Sequence, residues 1–412
     1  MSKLAIKGGS PLRTKSFPKW PVWDDNEINN LKKVVESGKW GALHGDQVKT
    51  FSEKYANYHQ AKYGICVNSG TTALKVALQA IGVETGQEVI LPCYTFIASA
   101  TAILDAGAIP VFVDIDPDTY NIDANQIKGA ITDRTAAIMP VHFGGRPCNM
   151  DEINGIAKKH NLKVIEDAAQ AWGSEWKNQK VGAIGDAGGF SFQSSKNITA
   201  AEGGIILTND EETAKFCRSF SNCGRIEGGV WYEHYYLGGN FRMSEFQGAV
   251  LSAQFERYPE MKAKREKNAK YLNEQLSQID GIETLKADDN ITSNSLHLFI
   301  CRYQKEHFKD VHKNTFIDAM RKEGFILSAG YSIPLYTQPV FKNLAFGARG
   351  KKVDVGVDYT SYHLPETEKA CYEEAIWVPQ SVLLGEQDDM KDIVNGIIKV
   401  KDNVDELVEN KM

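Results

Sequence analysis

The chain contains no Cys-x-x-Cys pair, and its seven cysteines (Cys66, Cys93, Cys148, Cys217, Cys223, Cys301 and Cys371) are odd in number and widely scattered. Such a set fits neither a disulfide framework nor a zinc site, and points to reduced thiols in a cytoplasmic enzyme with no metal centre. Excess basic charge is missing as well. A net charge of -6 and a pI near 5.9 argue against nucleic-acid partners and against a polybasic membrane role. Long apolar runs are also lacking. The most apolar region, 89–113, is broken by Pro92, Asp105 and Pro110, so it is not one clean bilayer-spanning helix. The opening residues, Met1 to Gly9, carry no signal-peptide core, which leaves the cytoplasm as the expected location. Repeats, low-complexity tracts and Gly/Ser linkers do not occur, so neighbouring domains should be tightly joined.

What the chain does have is 412 residues of ordinary globular composition, 42% hydrophobic and 24% charged, enough for a large core and two domains. From about residue 62, short β-rich runs alternate with helical patterns. Strands are expected at 63–67, 88–91, 111–114, 137–141, 163–167, 189–192 and 204–208, with helices at 72–81, 97–106 and 150–160. This alternation predicts an α/β fold with a mostly parallel, helix-covered sheet. A helical pattern over 244–277, interrupted at Pro259, leads out of that sheet. The remainder mixes a strand at 297–303 with helices at 313–323 and 387–407, and reads as a smaller α+β domain. The expected division is a large domain over 1–250, including the N-terminal segment, and a small C-terminal domain over 251–412.

Two residues carry the chemistry. Asp167 closes the apolar strand pattern Lys163-Val164-Ile165-Glu166-Asp167, and Lys196 follows about one βα unit later in Ser191-Phe192-Gln193-Ser194-Ser195-Lys196. A carboxylate keeps a pyridine nitrogen protonated, and an amine forms a Schiff base with an aldehyde. Together they meet the needs of pyridoxal 5′-phosphate (PLP). The segment Asn68-Ser69-Gly70-Thr71-Thr72 follows a strand and opens a helix. Its glycine, hydroxyls and exposed helix N–H groups suit a phosphate, although a plain N-cap explains the same residues. It has neither the glycine spacing of a dinucleotide fingerprint nor a P-loop lysine. Phe96 is a candidate to cover the face of a flat heterocycle, although an aromatic in this position taken alone is more often a core residue. Ser191 is a candidate for the phosphate shell. Gln170, one helical turn beyond Asp167, is a candidate for a ring hydroxyl. Cys93 is read as structural, and Glu202-Gly203-Gly204 as a bend into the next strand.

These segments, taken with Asn240-Phe241-Arg242-Met243-Ser244-Glu245, resemble the DegT/DnrJ/EryC1/StrS family of fold-type-I, PLP-dependent sugar aminotransferases. The resemblance runs from about Phe17 to the final helix. It implies Lys196 as the Schiff-base lysine, Asp167 on the pyridine nitrogen, Gln170 near the ring hydroxyl and Phe96 stacked on the ring. It also implies Gly70, Thr71 and Ser191 at the phosphate. Asn240 is implied to reach the cofactor phosphate of a neighbouring subunit, which makes the active unit a homodimer with shared sites. Members that remove a hydroxyl group carry histidine at the position of Lys196, so the lysine favours transamination. Many members have Trp-His-Leu where this chain has Leu296-His297-Leu298, so His297 carries over as a substrate-pocket residue or as a structural histidine.

The expected reaction takes an amino group from L-glutamate or L-glutamine and delivers it to a cyclic ketone. The segments 17–21, 38–41 and 377–385 look most like the branch that acts on keto-cyclitols, which includes inosose aminotransferases and aminohydroxybenzoate synthases. Nucleotide-linked keto-sugars are the larger class in the wider family. Two rival readings are an aminohydroxybenzoate-type dehydration and aromatisation on the same lysine, and a non-catalytic PLP-bound regulator. The absence of a basic helix-turn-helix segment weighs against the regulator.

Overall fold

The computed structural model of the chain describes residues 3–408. Seven strands form the main sheet: β1 (Tyr63–Val67), β2 (Glu88–Pro92), β3 (Ile109–Val113), β4 (Thr135–Ile138), β5 (Lys163–Asp167), β6 (Ala187–Ser191) and β7 (Gly204–Thr208). Their order across the sheet is β1-β7-β6-β5-β4-β2-β3. Pairings from β6 through β3 are all parallel, and only β7 runs against its two neighbours. Strands β2, β6 and β7 are buried at every residue. That is why they read as unbroken apolar or small-residue runs rather than as alternations: helices cover both faces of such a sheet. Because β1, β2, β5 and β6 point the same way, their carboxyl ends open onto one edge, where ligands bind in open α/β sheets.

The expected elements recur with small shifts and one correction. The helix expected to break at Pro259 instead runs unbroken from Glu245 to Leu276. Proline removes one backbone hydrogen bond. Buried side chains on both sides of it, Leu251 and Tyr258 before and Leu272 and Leu276 after, hold the two halves in one direction. A capping box between Ser244 and Gln247 starts this helix. The strand expected over 137–141 ends at Ile138, since Pro140 cannot donate to a ladder. A single parallel bridge from Val141 to Asp167 continues the direction.

Beyond this helix, strands at Ile282–Thr284, Leu298–Tyr303 and Ala375–Pro379 form an antiparallel sheet. It shares a core with the helices Lys313–Lys322 and Gln387–Asp402 and with Leu4 and Phe17 from the N-terminal segment. The buried carboxylate of Glu323 fastens that segment, accepting from the backbone N–H of Ala5 (2.8 Å) and Leu12 (2.9 Å) and pairing with Lys399 (2.7 Å). The chain then returns to the main sheet. Leu335, Tyr336, Phe341 and Tyr359 pack with Phe112 of β3.

Candidate active site

Asp167 ends β5 with its backbone held on both sides. Its N–H donates to Pro140 O (2.9 Å), and its carbonyl accepts from His142 N–H (3.1 Å). The buried carboxylate accepts from Ser99 Oγ (2.6 Å) through Oδ2 and from Ala169 N–H (3.1 Å) through Oδ1. Among the described residues no basic side chain forms an ion pair with it. Burial raises its pKa; the Ser99 and Ala169 hydrogen bonds and the charge of Lys196 partly offset this. A cation at Oδ1 or Oδ2 would therefore be strongly favoured there.

Lys196 lies in the turn between β6 and β7, half-buried, with Nζ 5.9 Å from the centre of the Trp172 ring. Burial lowers its pKa to about 8, against the opposing pull of Asp167. An amine so placed is largely neutral just above that pH, the form that attacks an aldehyde.

The phosphate candidates lie at the carboxyl end of β1. Ser69 is the N-cap of the helix Gly70–Ala80, accepting from Thr72 N–H (3.1 Å). The capping explanation therefore holds for Ser69, while Gly70 and Thr71 occupy the first helical turn ahead of the capped N–H. A Cβ on Gly70 would meet Ser191 Cβ at 2.6 Å, so glycine lets the helix end close onto β6. Ser191 is buried beside it. Phe96 is not a core residue: it is 58% exposed and immediately precedes the helix Ile97–Asp105. Gln170 sits in a turn rather than a helix, because Ala171 N–H closes back onto Ala168 O (2.9 Å). Its Oε1 accepts from Gly144 N–H (2.7 Å), and its amide NH₂ lies on the side of the Tyr331 hydroxyl. Cys93 is buried and burial pushes its thiol pKa up, which leaves it inert.

His297 is buried beside Lys196 and stacks edge-on to Trp172, with ring centres 5.7 Å apart. Burial first, then the charges of Lys196 and Arg265, drive its pKa well below the usual histidine range. Asn240 stands apart: it is exposed, and its side chain makes no hydrogen bond among the described residues. Three neighbours were not foreseen. Ser99 lies one helical turn after Phe96, a spacing that was legible in the sequence. Trp172 and Tyr331 reach the site only through the fold. Tyr331 brings its hydroxyl near Gln170 and Asp167 from a segment some 160 residues away in the chain.

The set fits PLP. A buried carboxylate with no ion pair among the described residues suits a pyridinium, a lysine with a lowered pKa suits an aldehyde, and an exposed aromatic ring opens the helix that carries Ser99, the partner of Asp167. Among the described residues no group of three or more His, Cys, Asp or Glu side chains is placed to hold a metal ion, and no helix is long and apolar enough to cross a membrane.

Comparison with known proteins agrees in kind. The profile of the DegT/DnrJ/EryC1/StrS aminotransferase family matches residues 21–398. An L-glutamine:2-deoxy-scyllo-inosose aminotransferase of Micromonospora echinospora is 34% identical over 423 residues, covering 99% of this chain and 100% of that protein. The crystal structure of 3-amino-5-hydroxybenzoic acid synthase superposes with a TM-score of 0.85 at 32% identity, covering 96% of this chain and all of that one. A sugar aminotransferase of Streptococcus pneumoniae in its PMP form gives 0.83 at 26% identity, covering 96% and 99%.

Proposed function

Since the chain belongs to the DegT/DnrJ/EryC1/StrS aminotransferase family, we propose that it moves the amino group of L-glutamine or L-glutamate onto a keto-cyclitol or keto-sugar. The family is PLP-dependent. When bound, that cofactor supplies an aldehyde for amines to condense with and a ring that takes up electron density. The observation that carries the reading is the buried, unpaired carboxylate of Asp167 opposite the depressed amine of Lys196.

Lys196 Nζ tethers the cofactor. With its amine free, it would serve as base and then as acid for the proton at the donor α-carbon. Asp167 would hold a proton on the ring nitrogen, Gln170 would lie near the ring hydroxyl, and the Phe96 ring would cover one face. Gly70, Thr71 and Ser191 hold the phosphate with backbone N–H and hydroxyl donors. His297 lies in the acceptor pocket. Residues 1–250 supply most of the cofactor domain and 251–412 most of the smaller one, with Leu4 and Phe17 packed into the smaller core and the stretch from Leu335 to Tyr359 packed on the main sheet, and the enzyme works in the cytoplasm.

The relatives' names favour L-glutamine as donor and a keto-cyclitol as acceptor. The similarity to 3-amino-5-hydroxybenzoic acid synthase supports the second reading, aromatisation on the same lysine. L-Glutamine should bleach the visible band of the loaded enzyme, and a scyllo-inosose-like ketone should restore it. Restoration by a nucleotide-linked 4-keto-sugar alone would move the substrate to the other class. Appearance of an aromatic product would favour the second reading.

Asn240 completes the phosphate site of a second copy of the chain. It follows an exposed apolar stretch that includes Trp231, Tyr232, Tyr235 and Leu237, the last 97% exposed, a surface of the kind that marks an interface. Asn240→Ala should therefore weaken cofactor retention. Mixed with Lys196→Ala and allowed to exchange subunits, it should regain partial activity, because half the sites of a heterodimer are then intact. A fully active monomer at assay concentration would exclude the shared site.

A further inference from the structure

The guanidinium of Arg265 is completely buried, yet no carboxylate lies within ion-pairing distance of it among the described residues. Its acceptors all belong to Gln380: Nε donates to the backbone carbonyl (3.3 Å) and to Oε1 (3.1 Å), and Nη2 donates to the same Oε1. Nη1 has no partner at all. A buried cation held only by neutral groups is costly, and burial lowers its pKa to about 10. What it spans is the surroundings of Lys196. The Gln380 N–H donates to the carbonyl of His297 (3.1 Å). On another side the guanidinium lies over the Trp20 ring, 5.6 Å from its centre, and Trp20 Nε1 donates to Ser194 O (2.9 Å), two residues before the lysine.

His297 itself is fixed from its other edge. Asn197 Nδ2 donates to Ser295 O (2.8 Å), which obliges Asn197 Oδ1 to face His297 Nδ1 (3.0 Å). An amide oxygen only accepts, so Nδ1 carries the hydrogen and Nε2 keeps a bare lone pair. The charged groups acting on this imidazole are Lys196 and Arg265, both cations. A third positive charge between them is disfavoured.

We propose that Arg265 is a positioning residue that, with Asn197, holds His297 as a neutral imidazole whose Nε2 accepts a hydrogen bond from a hydroxyl of the keto-acceptor. Arg265 touches no reacting atom. It acts through Gln380 on the His297 backbone, through Trp20 on the lysine turn, and through its field on the ring. A polyhydroxylated ketone supplies the O–H donor that a bare Nε2 needs, whereas a protonated imidazole can only donate, to a hydroxyl or carbonyl oxygen. The role of the hydroxyl rests on the cyclitol reading above, whereas the state of His297 does not.

The test uses the apoenzyme labelled with ¹⁵N in its histidine rings, with the His297 signals identified by their loss in His297→Gln. In the wild type His297 should show the Nδ1–H tautomer and should not titrate between pH 8 and 5. In Arg265→Met protonation of the ring should enter that window, the direction expected when a nearby positive charge is removed, while Arg265→Lys should stay silent there like the wild type. In the loaded enzyme, Arg265→Met should raise KM for the keto-acceptor roughly tenfold more than KM for L-glutamine, the scale of one lost or misaligned hydrogen bond. An Nε2–H tautomer or an ordinary titration in the wild type overturns the proposal without any variant, even if Arg265→Met fails to fold. A folded Arg265→Met whose His297 still takes up no proton between pH 8 and 5, or equal rises in both KM values, overturns it as well. A correct His297 signature combined with failure of every cyclitol as acceptor refutes the substrate reading alone.

Discussion

Lys196→Ala should fold normally, retain PLP only loosely and lose transamination by at least about a thousandfold, since both the tether and the proton carrier go together. The side chain removed is half-buried and makes no hydrogen bond or ion pair among the described residues, so thermal unfolding should shift little. Borohydride reduction of the wild-type holoenzyme followed by peptide mass mapping should place the pyridoxyl mass on Lys196. Its appearance on another lysine would end the assignment. A pH dependence accompanies this result. With the amine lowered to about 8 by burial, the rate at which the apoenzyme takes up PLP should climb as pH rises through about 8 and then level off. An unperturbed lysine would still be climbing near pH 10.

Asp167→Asn should give a different phenotype, with the cofactor bound and activity lost by roughly 10²–10³-fold, the scale found when one preorganised polar group is removed from an active site. The amide is close in shape: its oxygen can keep the bond from Ala169 N–H, and its NH₂ then faces Ser99 Oγ, which can turn to accept and donate to Thr95 Oγ1 instead, so the strand end should keep its geometry. What it cannot do is balance a positive charge on the ring nitrogen. Burial raises the pKa of the carboxyl. A positive charge on the ring nitrogen favours the ionised form, so the two charges stabilise each other. Absorbance spectra of the loaded variant should show the cofactor present, and stopped-flow mixing with L-glutamine should show slow bleaching. Near wild-type turnover would reduce Asp167 to a structural strand end.

The difference between Phe96 and Gln170 shows how far local pattern reaches. Strand and helix periodicity placed both residues after the ends of strands, and the structure leaves them there. Taken alone, an aromatic after a strand is more often core than ligand-facing, and the exposure of Phe96 rules the core out. The helical turn expected after Asp167 is a non-helical turn instead, since Gln170 Oε1 is engaged by Gly144 N–H from the loop after β4. No local signal reports such a partner. Pro259 teaches the same lesson in the other direction: a strong local breaker yields when buried residues on both sides bind the two halves to one direction.

By itself, the sequence determined the element order, the parallel sheet and the choice of Asp167 and Lys196 as candidate reactive groups, because period, turn chemistry and residue type are local properties that survive without a fold. Tertiary structure alone decided how those groups behave. Parallel strands bring Gly70, Asp167 and Ser191 to one edge, desolvation depresses Lys196 and raises Asp167, and a buried Arg265 without a counter-ion comes to stand behind His297. These depend on distance and burial between segments far apart in the chain, and electrostatic energy is set by that separation and by the water excluded around it.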